Sequence, residues 1–289
     1  MFARLPSITA AFVALLRGVA SLPGAPFDTA NDRSLRVLTP RVLDRALSLV
    51  GAISARRPGL HQGLRVLSGG LLDHIALRTR AIDMALLAEL ETGTRQLVIC
   101  GAGLDARAFR TPQLRDAVVF EVDHPATQPL KRAQVKGHPS TAQHVRWVSV
   151  DFERESLEQK LKHAGHDPNQ RTVWIWEGVT PYLHPAAIES TLAVIAQRSA
   201  KGSLALVTYA LPSMASVPPM LLGPVRAAFG LLGEPLVGAM TTAALEARAL
   251  SVGLSLEEDS DSDQWGAAHL RGEPFPMRIE ERLMALRKT

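Results

Sequence analysis

Three acids stand at the ends of apolar runs and are the side chains of this 289-residue chain best placed to do chemistry. Asp123 closes AVVFEVD (117–123), Asp151 closes VRWVSVD (145–151), and Glu177 precedes the last glycine of TVWIWEG (172–178). Upstream, QLVICG (96–101) runs into Gly101-Ala-Gly103 and then at once into Asp105, Arg107 and Arg110. Short apolar runs that alternate with helical segments predict parallel strands covered on both faces. Ligands of such sheets bind outside the carboxyl ends of the strands, so all of these residues belong to one candidate edge.

Gly101, Gly103 and Ala106 spell G-x-G-x-x-A, and Asp123 follows Gly103 by twenty positions, the spacing of a dinucleotide fingerprint whose acid meets a ribose hydroxyl. Two residues argue against a pyrophosphate there. Asp105 sets a negative charge where loop amides would meet phosphate, and Pro112 cuts short the helix whose N-terminus would supply the dipole. S-adenosylmethionine needs the same glycine loop and ribose acid but carries a sulfonium cation and no phosphate, so an acidic rim suits it. Asp151 and Phe152 fit an adenine amino group and ring; equally, Asp151 caps a helix begun by DFERESLEQ. Glu177, costly to bury alone, fits an ammonium or a salt bridge to a nearby Arg. Arg78 and Arg80 are candidates to clamp a carboxylate bidentately, or are surface arginines.

These residues need a scaffold. Residues 1–93 read as helical, with turns at SLPGAPFD, ARRPG and LSGG. In the last helix Leu72, Ile75, Ile82, Leu86 and Leu90 share a face and Gly93 suits the C-terminal cap. The start, MFARLPSITAAFVALLRGV, imitates a signal peptide, but its apolar stretch Ile8–Leu16 is too short to span a bilayer and Arg17 ends it; an amphipathic helix packed on the body is expected. After the fourth strand, HPAAIESTLAVIAQRSAKG is a helix with Pro185 in its first turn, an Ile188/Leu192/Ile195 stripe and Gly202 at its close. SLALVTYAL (203–211) is a fifth strand, the Pro-, Gly- and Met-rich stretch 211–238 an inserted apolar cover, TTAALEARALSVG a capped helix and LSLEE a late strand. EEDSDSD lacks the Gly and bidentate Glu of a calcium loop, since Gln264 and Leu270 stand there, and reads as a solvated turn.

With 46% hydrophobic residues the chain can bury a full core, and a net charge of +4 with scattered arginines gives no nucleic-acid footprint. Cys100 is the single cysteine, so no internal disulfide is possible and a reducing, cytoplasmic setting is expected. No zinc-hydrolase or nucleophile-elbow motif occurs, and no metal site is expected.

LRTRAID, GAGLDARAFR, FEVDHPATQPLKR, VSVDF and EGVTPYL, in this order, resemble the motifs of the leucine carboxyl methyltransferase family, including its bacterial natural-product O-methyltransferases of the tetracenomycin type. The resemblance covers about residues 70–210. It implies an α/β, Rossmann-like, doubly wound and mostly parallel seven-stranded sheet. A helical cap (1–93) would shape the acceptor pocket, and residues 94–289 would form the S-adenosylmethionine domain, with the insertion at 211–238. It further implies that Arg78 binds the cofactor carboxylate, that Gly101 and Gly103 line its methionine and ribose, and that Asp123 holds the ribose hydroxyls. Asp151 and Phe152 would hold the adenine and Glu177 the amino group. Asp-Ala-Arg stands where relatives have Asp-Thr-Arg, and CGAG replaces Leu-Gly-Ala-Gly.

Methyl transfer is an in-line displacement, so positioning and water exclusion dominate. A carboxylate acceptor needs no base; for a hydroxyl acceptor His124, His184 and Tyr182 are the candidates, though each histidine precedes a proline and fits a backbone hydrogen bond, and Tyr182 a pocket wall. The expectation is a methyltransferase for a small-molecule carboxylate or hydroxyl, with no nucleic-acid or membrane partner. An NAD(P)-dependent oxidoreductase and a non-methylating S-adenosylmethionine-binding protein are the alternatives.

Overall fold

The computed structural model describes residues 8–30, 32–39, 41–57, 59–213, 237–270 and 279–289. Four helices come first: α1 (Ile8–Ala20), α2 (Arg41–Ser54), α3 (Gly59–Leu67) and α4 (Leu71–Glu91). Next come β1 (Gln96–Cys100), α5 (Arg107–Arg110), β2 (Val118–Asp123), α6 (Gln128–Gln134) and β3 (His144–Ser149). The chain continues through α7 (Leu157–His163), β4 (Thr172–Trp176), α8 (Pro185–Gln197) and β5 (Leu204–Ala210), and ends with α9 (Thr242–Ser251), β6 (Leu254–Ser260), α10 (Ser262–His269) and β7 (Glu281–Lys288).

The seven strands form one sheet in the order β3-β2-β1-β4-β5-β7-β6. β1 to β5 pair in parallel, and β7 runs antiparallel between β5 and β6. The order reverses between β1 and β4, which opens a crevice at their carboxyl ends. Cys100 pairs with Trp176 in register, so Gly101 and Glu177 emerge side by side from the two central strands. β1, β4 and β5 are buried throughout, as apolar runs predict; β3, at the edge, is mostly exposed or half-buried.

Each face of the sheet has its own core. Leu72, Ile75, Ile82, Leu86 and Leu90 of α4 pack against Leu97, Ile99, Val173 and Ile175, with Ala14, Leu16 and Ala20 of α1 in the same cluster. Helices α7, α8 and α9 cover the opposite face, where Trp174 and Trp176 are fully enclosed. The expected cap of α4 is present, because Gly93 takes φ +92 just after the helix. The N-terminal amphipathic helix is present too, packed on α4.

EEDSDSD is not a solvated turn. Residues 257–260 complete β6, and Asp261 caps α10 in a capping box with Gln264. Glu257 and Asp259 pair with Arg287 and Arg282 of β7, which lets an edge strand carry acids that hydrophobic periodicity cannot reveal. β7 itself carried no sequence signal that set it apart. Of the inserted cover, 214–236 lies outside the described residues; its C-terminal end is tied down by Gly238 N–H donating to the Pro181 carbonyl (2.9 Å).

Candidate functional site

The glycine loop turns sharply after β1. Gly101 has φ +70, and a Cβ there would stand 2.2 Å from Cγ2 of Val179, so the loop and the β4 tip touch only because the side chain is missing. Gly103 N–H donates to Oδ2 of Asp123 (3.0 Å) and His124 N–H to Oδ1 (2.8 Å), which fixes the carboxylate at the end of β2. A carboxylate offers about four acceptor positions, so two remain for a diol. Burial pushes the Asp123 carboxyl above its usual range, opposed by the His124 amide and Lys131.

Asp105 does not form an open acidic rim. Its Oδ1 accepts from Arg107 N–H (2.8 Å) and its Oδ2 meets Nη1 of the same arginine, so its charge is spent inside the protein. Burial would raise its pKa, but Arg107, Arg17 and Lys131 overcome that and hold it low. Pro112 does stop the helix early, leaving α5 only four residues long.

Glu177 is the hub of the site. Its side chain is 6% exposed and receives Arg17 Nη2 (2.7 Å) and Arg78 Nε (3.0 Å) on Oε1, and Arg107 Nη1 (2.9 Å) on Oε2. Arg78 Nη1 also donates to Glu281 Oε2 (2.5 Å), where His74 Nε2 arrives at 2.6 Å. Arg107 Nε and Arg110 Nη2 both reach Asp83, at 2.7 and 2.6 Å. Four arginines (17, 78, 107, 110) thus face four carboxylates (83, 105, 177, 281). Burial would push Glu177 up, yet Arg17, Arg78 and Arg107 hold it well below the usual carboxylate range. Burial opposes Glu281 in the same way, and Arg78 and His74 bring it down to about 2. Nη2 of Arg78 points toward Gly178, 3.6 Å from where a Cβ would be, and Gly178 takes φ +69.

The adenine-side residues are looser. Asp151 Oδ1 accepts from Glu153 N–H (3.0 Å), the local turn bond of a loop-starting acid, and its Oδ2 lies 3.7 Å from His124 Nε2 and 3.8 Å from Arg154 Nε. Phe152 is half-buried against the core on the α7–α8 face. His124 Nδ1 accepts from Ala126 N–H (3.1 Å), so its lone pair is already used and Nε2 carries the proton. His184 is exposed at the N-cap of α8. Tyr182 ends a 3₁₀ turn (Thr180–Tyr182) fastened by Thr180 Oγ1 donating to the Thr208 carbonyl (2.6 Å) and by Gly238. Arg80 pairs with Asp28 at 2.8 Å, away from the cluster.

Arg78, Gly101, Gly103, Asp123 and Glu177 therefore meet at the crevice, with Asp151 and Phe152 on the β3 side. Sequence reasoning missed Arg17, His74, Asp83 and Glu281 and left Arg107 and Arg110 without roles. Only Arg17 carried a signal: an arginine that interrupts an apolar helix face must find an acid or water. α1 lies across the loop, since a Cβ on Gly103 would be 3.2 Å from Cβ of Ala10. A separate cavity of about 1080 Å³ opens between the end of α1, α2 and α6, lined by Arg36, Thr39 and Gln134 among others; none of the strand-end acids lines it.

Among curated relatives, a Mycobacterium ulcerans protein provisionally named an S-adenosyl-L-methionine-dependent methyltransferase is 40% identical over 138 residues, which is 47% of this chain and 42% of the relative. A Mycobacterium avium protein of the same name is 34% identical over 205 residues, covering 68% and 64%. The matched stretch is less than half the length of the first of these relatives. Among solved structures, a provisionally named methyltransferase from Thermobifida fusca superposes with a TM-score of 0.58 at 18% identity, covering 100% of this chain and 96% of that one. A DUF574 family protein from Streptomyces avermitilis gives 0.56 at 16% identity, covering 79% and 89%. These likenesses show the fold. The sequence profile of leucine carboxyl methyltransferases matches residues 14–196, which spans β1 to β4 and every strand-end acid named above, and the chain belongs to that family.

Proposed function

We propose that this protein is an S-adenosylmethionine-dependent O-methyltransferase acting on a small-molecule carboxylate or hydroxyl, of the kind found in natural-product tailoring. The observation that carries the reading is the Glu177 cluster: an ionised carboxylate and three arginines at one strand tip match the ammonium and carboxylate of a methionyl end. Asp123, with two acceptor positions left over, suits the ribose. Pairing with Arg107 removes the repulsion that Asp105 would offer a pyrophosphate, but the four-residue α5 leaves little helix dipole to hold one, which disfavours a nicotinamide cofactor.

When bound, the cofactor supplies an electrophilic methyl carbon on sulfonium. This chain's residues do the rest. Asp123 and the glycine loop orient the nucleoside, Arg78 and Glu177 anchor the amino-acid end, and α1 and the Tyr182 turn exclude water. Transfer then depends on placing an acceptor oxygen in line. A carboxylate acceptor is ionised at neutral pH and needs no base. For a hydroxyl, Tyr182 is the better placed of the three candidates, because His124 has its lone pair committed and His184 faces solvent.

Calorimetry with S-adenosylmethionine and with NAD tests the reading. Binding of the first and not the second supports it; the reverse result overturns it. Methyl transfer from labelled cofactor to a panel of small carboxylates and phenols then distinguishes a transferase from a protein that only binds the cofactor.

A further inference from the structure

We propose that the outer face of the α2–α3 hairpin docks onto an anionic lipid surface. The proposal is independent of the methyltransfer reading. From 45 to 72 the sequence contains no Asp or Glu. Arg45, Arg56 and Arg57 are exposed in this stretch and have no acidic partner among the described residues. Among them stand large apolar side chains open to solvent: Leu49 is 66% exposed, Ile53 44%, Val66 64% and Leu67 79%.

These residues form one surface because the hairpin is pinned at its turn. Ser54 Oγ donates to the Pro23 carbonyl (2.7 Å) and His61 Nε2 bonds the same oxygen (3.1 Å), so the end of α2 and the start of α3 meet at one point. Leu49 and Val66 each lie five residues from that anchor. Leu47, Gly51 and Ser54 on α2, and His61 and Arg65 on α3, are buried toward the protein, Arg65 through its pair with Asp73 (2.7 Å). The opposite face carries the leucines, the isoleucine, the valine and the arginines.

Exposed apolar side chains beside unpaired cations are what an interfacial helix presents to acidic headgroups, the apolar groups entering the acyl boundary while the cations meet phosphate. A second copy fits less well, because a two-fold contact of this face with itself brings no acid to its arginines. Among the described residues no helix is long and apolar enough to cross a membrane.

Co-sedimentation with vesicles tests the proposal, using phosphatidylcholine alone and a phosphatidylcholine–phosphatidylglycerol mixture. The protein is expected to sediment with the mixture at low salt, to be released by high salt, and to ignore phosphatidylcholine. The double variant Leu49→Ser/Ile53→Ser should lose binding at least roughly tenfold, while its circular dichroism and S-adenosylmethionine affinity stay as in the parent. Should that variant fold poorly, Arg56→Glu/Arg57→Glu at the exposed end of the hairpin carries the same test. No binding of the parent to the acidic vesicles overturns the proposal, as does equal binding by folded variants. A parent dimer that Leu49→Ser/Ile53→Ser converts to monomer also overturns it, by making the face a contact between copies.

Discussion

The two halves of the crevice are built on opposite principles. On the β1–β2 side, Asp123 is held by the backbone amides of Gly103 and His124, donors twenty residues and one residue away, and keeps part of its acceptor capacity free. On the β4 side, Glu177 is held by guanidinium groups 160, 99 and 70 residues distant, and most of its acceptor capacity is filled. In the function proposed above, the first half receives neutral hydroxyl groups, which bring no charge of their own. In the same proposal the second receives a zwitterion in a site where charges already cancel, so binding there would exchange ion pairs and not fill a vacancy. A buried pair costs desolvation, and removing one partner leaves a stranded charge. On that proposal the Glu177 half carries fold stability and ligand recognition in the same atoms, whereas the Asp123 half keeps them apart.

Substitutions can break that contrast. Glu177→Gln has the largest expected effect: it removes the carboxylate with which Arg17 forms its direct ion pair, leaving it only the more distant Asp105, and should cost about 3–5 kcal/mol in urea unfolding besides abolishing cofactor binding. A loss below about 1 kcal/mol would mean the cluster is held by solvent and not by Glu177. Gly101→Ala follows, with a Cβ 2.2 Å from Val179 on a backbone at φ +70; about 2–3 kcal/mol of destabilisation is expected, and Val179→Ala should restore only the steric part. For Asp123→Asn the contrast predicts the opposite split: cofactor affinity down about 10- to 100-fold by calorimetry, with unfolding shifted by less than about 1 kcal/mol. Asp151→Asn should be the mildest, under about tenfold in affinity, because its carboxylate makes only one local bond shorter than 3.5 Å through its oxygens.

Acid separates the halves as well. Glu177 and Glu281 have pKa values depressed by folding, so their stabilisation is fully present above the ordinary Glu value of 4.5 and is lost as pH falls below it, toward about 2 for Glu281. Asp123 is shifted the other way, so its hold on a diol should weaken at a pH above the ordinary Asp value of 3.8, before the Glu177 cluster lets go. Cofactor affinity and unfolding free energy measured between pH 3 and pH 7 should therefore decline in that order.

Much of this was legible because it is local. Apolar runs ending in acids announce β2 and β4, and Gly101 and Gly103 announce a loop with backbone close to a ligand. The stripe of α4 announces which face meets the sheet. β6 was only half legible, since its second half carries acids neutralised by arginines of β7. Asp105 was misjudged for the same reason: its sign is plain in the sequence, but the guanidinium that absorbs it is placed by the fold.

The sequence alone determined the strand-end acids, the glycine turn and the early stop of α5, because each rests on periodicity or on a residue's own backbone preference over a few positions. Only the tertiary structure decided which charges meet. Arg17 reaches Glu177 and His74 reaches Glu281 across 160 and 207 residues, contacts that exist because α1 and α4 cross the tips of β4 and β7. A short-range pattern records where a charge sits along the chain; its partner, and whether it serves the fold or a ligand, depends on burial among elements that no local window contains.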